Sequence, residues 1–247
     1  MTTVVLLADP PRPGLRFPDL AATSPLNESE VAELAGAIDR DAMRAIERSG
    51  ADLLVNYRPE DLLDEAHRTE VSPEAEIRAL AADAVSDVGE VRFEPQVGST
   101  PSARVGNTVT HLLREEGARS VAVLPGTTPF ITRAGIDSAA MKHRSNDVVL
   151  GPGPGGSVYY AGFSETVDFT DAMTPPALNT IAELARGEDH ETAFLPTQPT
   201  VRTGDELASV VAELRARVAA GRAVPDFTAA LIEEYGLIVD EDGLTRQ

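Results

Sequence analysis

The chain of 247 residues is 42% hydrophobic and carries 40 Asp and Glu against 21 Lys and Arg, a formal net charge of −19. That length and apolar content can bury one large core, and the acidic balance makes nucleic acid a poor partner. With no Cys, disulfides, thiolate catalysis and thiolate zinc sites are excluded, and the four His (His67, His111, His143, His190) stand too far apart for ligand spacing.

In chain order, Val4 to Ala8 reads as a strand that enters the loop Asp9-Pro10-Pro11-Arg12-Pro13-Gly14, which can be neither helix nor strand. Asn27 and Glu30 form a capping-box pattern, and Val31, Leu34, Ala35, Ile38, Ala42 and Ile46 follow at helical spacing until Gly50. Asp52 to Tyr57 reads as a strand, Ser72-Pro73 opens a helix to about Val85, and Val91 to Gln96 reads as a strand. Ser102 to Glu116 is helical in pattern, and the continuous apolar run Ser120 to Leu124 marks a strand buried on both faces. A helix is expected over Thr132 to Met141, strands over Val148 to Leu150 and Val158 to Phe163, a helix over Pro176 to Arg186, and a short strand at Ala193 to Leu195. Thr203 with Glu206 repeats the capping-box pattern before a helix to about Ala220.

Strands alternating with helices imply an α/β fold of three layers, a mostly parallel mixed sheet with helices on both faces. In such sheets ligands sit beyond the carboxyl ends of the strands. The loops after Ala8, Leu124 and Leu150 are therefore expected to converge on one crevice, with Gly14, Thr127 and Gly155 around it. The α/β domain is taken as residues 1–222. The remainder, 223–247, holds the apolar Leu231-Ile232 and Leu237-Ile238-Val239 and reads either as a packed helix and hairpin or as a contact in a homodimer, packing being the commoner outcome.

No apolar run approaches a membrane span, and Met1 to Asp9 lacks a basic segment before its apolar residues, so a soluble cytoplasmic protein without membrane contact is expected. Lys142 is the only lysine. Scarce Lys beside plentiful Arg, Asp and Glu matches the composition of proteins from salt-loving archaea, whose cytoplasm screens carboxylate repulsion to within about 3 Å at 1 M salt.

The densest motif is Asp147 to Phe163, two short apolar runs separated by Gly151-Pro152-Gly153-Pro154-Gly155-Gly156-Ser157. Its plain reading is a surface turn; its functional reading is a loop whose N–H groups a ligand can approach closely. Four stretches together resemble the glycosyltransferase-A-like family related to molybdopterin-guanine dinucleotide synthase and other sugar-nucleotide and nucleotidyl transferases. These are the opening strand and Pro/Gly loop Val5 to Gly14; Gln96, Gly98 and Arg104, matching Gln-x-Gly followed by Arg; Pro125 to Pro129, where the family has Gly-x-Asp-x-Pro; and Gly151 to Tyr159, where it has Gly-Pro-x-x-Asp-Gly-Gly-Tyr-Tyr. The resemblance runs from about Val4 to Leu214 and implies a nucleotide-diphospho-sugar transferase-like fold.

The resemblance also implies a metal and phosphate site, and there the chain departs from the pattern. The family's basic Lys-Thr-Arg-Leu falls on Phe17-Pro18-Asp19-Leu20, its two loop acids fall on Thr127 and Gly155, and its Asp-Val-Asp-Thr falls on Thr200-Val201-Arg202-Thr203. Hydroxyls and glycine cannot replace carboxylates at a hard-cation site that must also balance phosphate charge. The expected function is a binding or regulatory protein that has lost metal-dependent nucleotide transfer, with no cofactor and a neutral or weakly charged, sugar- or nucleotide-like ligand. The residues expected around that ligand are Asp9, Arg12, Gly14, Arg16, Gln96, Gly98, Arg104, Thr127, Thr128, Gly155, Gly156 and Ser157. The alternatives are a structural subunit and an active transferase, the latter using Mg²⁺ or Mn²⁺ with Asp9, Asp19 or Asp137 as carboxylates and Arg12, Arg16 or Arg133 as cations.

Overall fold

The computed structural model describes residues 1–247. Strands β1 (Thr2–Ala8), β2 (Asp52–Tyr57), β3 (Arg92–Pro95), β4 (Ser120–Leu124), β5 (Val148–Pro152), β6 (Val158–Phe163) and β7 (Thr192–Phe194) form one sheet in the order β3-β2-β1-β4-β6-β5-β7. Only β6 runs against its neighbours, pairing Val123 with Ala161 on one side and Leu150 with Ala161 on the other. The cause lies in the sequence: the Gly153–Ser157 turn after β5 is too short for a crossover, so the chain must return antiparallel. Strands β1, β4 and β5 consequently share one direction, and their loops leave the same edge.

Alternate residues of each central strand feed opposite faces. Val4, Leu6 and Ala8 join Ala122 and Leu124 beneath α2 (Glu28–Glu47), α3 (Pro73–Ala84) and α5 (Arg133–Lys142). Val5, Val121 and Val123 face α4 (Pro101–Arg114) and α6 (Ala177–Gly187) instead. The helices begin where polar caps satisfy their first N–H groups: the Asn27 side-chain carbonyl accepts from Ser29 and Glu30, while the Thr100 and Thr132 hydroxyls accept from Ala103 and Gly135 at 3.1 Å. The mostly parallel sheet covered on both faces is thus observed.

Two features lie beyond the sequence pattern. A short helix, α1 (Pro18–Thr23), follows the first loop, entered through Phe17 in a left-handed conformation (φ 52°) that costs a non-glycine residue about 1–2 kcal/mol. Helix α2 shows one apolar stripe in sequence but buries two sides. Ala42, Met43 and Ile46 face the sheet, while Val31, Leu34 and Ile38 face α7 (Gly204–Ala219) and α8 (Asp226–Glu234). The chain from Pro225 folds as α8 and a hairpin of β8 (Leu237–Asp240) with β9 (Gly243–Arg246), and Leu231, Ile232 and Leu237 share one cluster with Leu207 and Leu214 of α7. The domain boundary expected at 222 therefore falls between two helices packed on the same side of α2.

Candidate functional site at the carboxyl edge of the sheet

The loop after β1 carries two arginines, both engaged within the protein. The Arg12 side chain is buried and donates to Glu76 (2.7 and 2.9 Å), Glu60 (3.0 Å), the His67 carbonyl (2.6 Å) and the Val71 carbonyl (2.8 Å). Arg16 is buried too, donating to Asp39 at 2.6 Å and to the Gly126 carbonyl at 2.5 Å. Gly126 has a positive φ (63°), and a Cβ there would lie 2.6 Å from both Arg16 and Asp39, so only glycine fits. Burial pushes the Asp39 carboxyl up to about 6, against the pull of Arg16. Both cations thus hold loops in place. Asp9 pairs with Arg58 at 2.8 Å, Gly14 packs toward Glu28 and His67, and Asp19 is exposed on α1.

Next to this loop stand the residues that follow β3. Gln96 is buried and donates to the Asn56 carbonyl at 2.8 Å, which ties the end of β3 to β2. A Cβ on Gly98 would meet the Ala103 backbone and the Arg104 nitrogen at 2.9 Å, so this glycine lets the loop pass against the start of α4. Arg104 is different: its half-buried guanidinium makes no ion pair and no hydrogen bond. Burial holds its pKa below the usual guanidinium value, Arg58 adds to the depression, and Asp9 opposes it. It is a cation at the strand ends without a bonded acid.

The loops after β4 and β5 supply hydroxyls. The Thr127 carbonyl accepts from Val201 at 3.0 Å, and a side chain on Gly153 would strike the Ser157 hydroxyl (2.5 Å) and the Thr200 methyl (3.2 Å). Residues 196–203 thereby join the two loops, with Gln198 donating its N–H to the Pro152 carbonyl at 3.1 Å and receiving the Thr128 hydroxyl at 3.4 Å. The Thr127 and Ser157 hydroxyls are buried and make no hydrogen bond within the protein. Thr200 donates to Glu206 at 2.5 Å; Glu206 also accepts from Arg202, not from the Thr203 N–H, so the second capping-box pattern is only half made. Gly155 stands exposed in open space, and Gly156 backs onto Pro176.

The three loops therefore do meet through contacts from Arg16 to Gly126, Thr127 to Val201, and Thr200 to Gly153. Gly14 lies against the Glu28 and His67 side chains, and Gly155 is open to solvent. Three strand spacings, about 14 Å, separate β1 from β5 at this edge. The residues do not fit a divalent metal: no three Asp, Glu, His or Cys side chains come together in metal-binding geometry, and Asp9, the nearest loop acid, is bound to Arg58. Asp137, on α5, accepts from Gly50 and so belongs to the opposite edge, where β2 begins. Sequence reasoning overlooked Arg58 and Gln198. Arg58 was detectable as the first residue beyond a strand of the parallel set; Gln198 had no such signal.

No protein-family model matches the chain, and no curated protein matches it in sequence. Solved structures do share its fold. A protein from Desulfovibrio desulfuricans G20 assigned as a nucleotide-diphospho-sugar transferase superposes with a TM-score of 0.75 at 19% identity, covering 94% of each chain. A cytidylyltransferase from Leptospira borgpetersenii (TM-score 0.50, 11% identity, 94% and 92% covered) and the 4-diphosphocytidyl-2C-methyl-D-erythritol synthase of Anaerococcus prevotii (0.50, 13%, 87% and 96%) are similar more distantly. At these identities the likeness shows fold alone. The chain has the α/β architecture of nucleotide-diphospho-sugar transferases.

Proposed function

We propose that this protein is a binding or regulatory protein on a sugar-nucleotide transferase scaffold, without metal-dependent nucleotide transfer. The observation that carries the reading is the fate of the charged groups. Arg12 and Arg16, nearest the lost basic element, are consumed by internal partners, and the positions matching the family's acids hold Thr127, Gly155 and Thr200. Transfer from a nucleotide needs cations to neutralise a diphosphate leaving group and carboxylates to hold the metal. The narrower kinship with the molybdopterin-guanine dinucleotide synthase type belongs to this proposal, resting on the order of the four motifs.

The ligand this edge suits is neutral or singly charged. Arg104 offers one cation with free donors, while the Thr127 and Ser157 hydroxyls lie buried beneath the loops. The reading assumes a cytoplasmic setting; no helix is long and apolar enough to cross a membrane. A thermal-shift screen pairing each nucleoside and sugar with its diphosphate form tests it. The neutral members are expected to stabilise the protein and the diphosphates to add nothing, with Arg104→Gln lowering the shift. Preferential stabilisation by the diphosphates would reject it.

A further inference from the structure

Away from the carboxyl edge, this acidic chain concentrates arginine in one place. A cavity of about 180 Å³ between α2, α5, α7 and the start of α8 is lined by Arg44, Arg48, Arg133 and Arg217, with Asp41 and Asp226 its only acids. Both acids are occupied. Asp41 accepts from the Phe227 and Thr228 N–H groups and the Thr228 hydroxyl at 2.7–3.0 Å, and Asp226 pairs with Arg44 at 3.0 Å. Arg44 gives its other two nitrogens to the Ala84 and Asp83 carbonyls.

The other three arginines keep donors to spare. Arg48 makes no side-chain hydrogen bond or ion pair, Arg133 reaches Asp137 only through Nε at 3.4 Å, and Arg217 gives one nitrogen to Glu213 while its guanidinium lies over the Phe130 ring. The bland reading is a set of solvated surface cations. Yet four arginines of a chain that holds 40 acids to 21 bases line this one cavity, and the two acids that line it with them are already engaged.

We propose that this cavity binds a small phosphate-bearing anion, at a site separate from the carboxyl edge. Guanidinium forks match phosphate oxygens in pairs, and three arginines with free donors match a multiply charged oxyanion better than a single carboxylate. The volume is below the roughly 300–1,000 Å³ of pockets that take drug-sized ligands, so the occupant is orthophosphate, diphosphate or a compact phosphomonoester. Pro129 to Thr132, which line the cavity, continue directly from Thr127 and Thr128, so the occupant would touch the loop that serves the carboxyl edge.

Calorimetric titration with orthophosphate and with diphosphate, against chloride and citrate at matched ionic strength, tests the proposal on the full chain. Saturable binding of a phosphate probe is expected, with Arg48→Gln and Arg133→Gln each weakening it about tenfold, the loss of one charge-assisted contact. Both residues are exposed, so neither change threatens the fold. Arg119→Gln, which removes the same charge from an exposed position outside this cavity, is expected to leave the affinity unchanged. The proposal is overturned by no binding above the chloride control, by citrate matching phosphate, or by equal losses in all three variants.

Discussion

Arg12 shows how one side chain can be diverted from ligand to scaffold. Its guanidinium draws residues 60–76 against the first loop, and substitution by Gln would strand two glutamates and two carbonyls. Breaking a buried pair costs about 3–5 kcal/mol, less here because Glu60 is one-third exposed. We expect Arg12→Gln to lose about 2–4 kcal/mol in denaturant titration while ligand affinity at the carboxyl edge stays unchanged. Asp39 gives a pH signature. A folded-state pKa of about 6, above the unfolded value, means that the folded chain holds the proton more tightly. Its contribution to stability is therefore greatest at low pH, falls as pH rises through the window from the unfolded value to about 6, and is flat above. Melting curves of the protein and of Asp39→Asn between about pH 4 and 7 should diverge over that window and run parallel beyond it; parallel curves throughout would contradict the assignment.

At the scale of elements, most of the architecture was legible because periodicity and caps report local physics. The helix from Asn27 and the strand from Ser120 begin where the sequence places them. Helix α1 was not legible: it is six residues long and opens on a strained Phe17, so its existence depends on Leu20 packing against α7 and not on propensity. The site was half legible. Thr127 and Gly155 were visible as missing carboxylates, whereas the burial of Arg12 depends on glutamates 48 and 64 residues away, which no local pattern reveals. The same holds for α8, whose first N–H groups are capped by Asp41 from α2, with the Phe227 ring held between Arg40 and Arg44. Asp41→Ala leaves two N–H groups and a hydroxyl unpaired and is expected to cost about 1–3 kcal/mol. Hydrogen exchange should show the loss first in α8; uniform acceleration across the sheet would contradict this account of the docking.

For the whole molecule, the charge of −19 sets the conditions for any measurement. From that charge and the single lysine we propose salt adaptation: repulsion among carboxylates grows as the Debye length lengthens from about 3 Å at 1 M to about 10 Å at 0.1 M. The melting temperature should rise steeply with salt, and a flat dependence would count against it. The same field opposes any anionic ligand at the carboxyl edge unless local cations or a metal offset it. The decisive measurement is calorimetric titration of the protein, at the salt where it is most stable, with sugar nucleotides in the presence and absence of Mg²⁺ or Mn²⁺. With Thr127, Gly155 and Thr200 where carboxylates would stand, and Asp9 bound to Arg58, neither metal should produce binding. A metal-dependent heat that vanishes in Asp9→Asn or Asp19→Asn would show that substitute carboxylates hold the cation, and the protein would then be an active transferase.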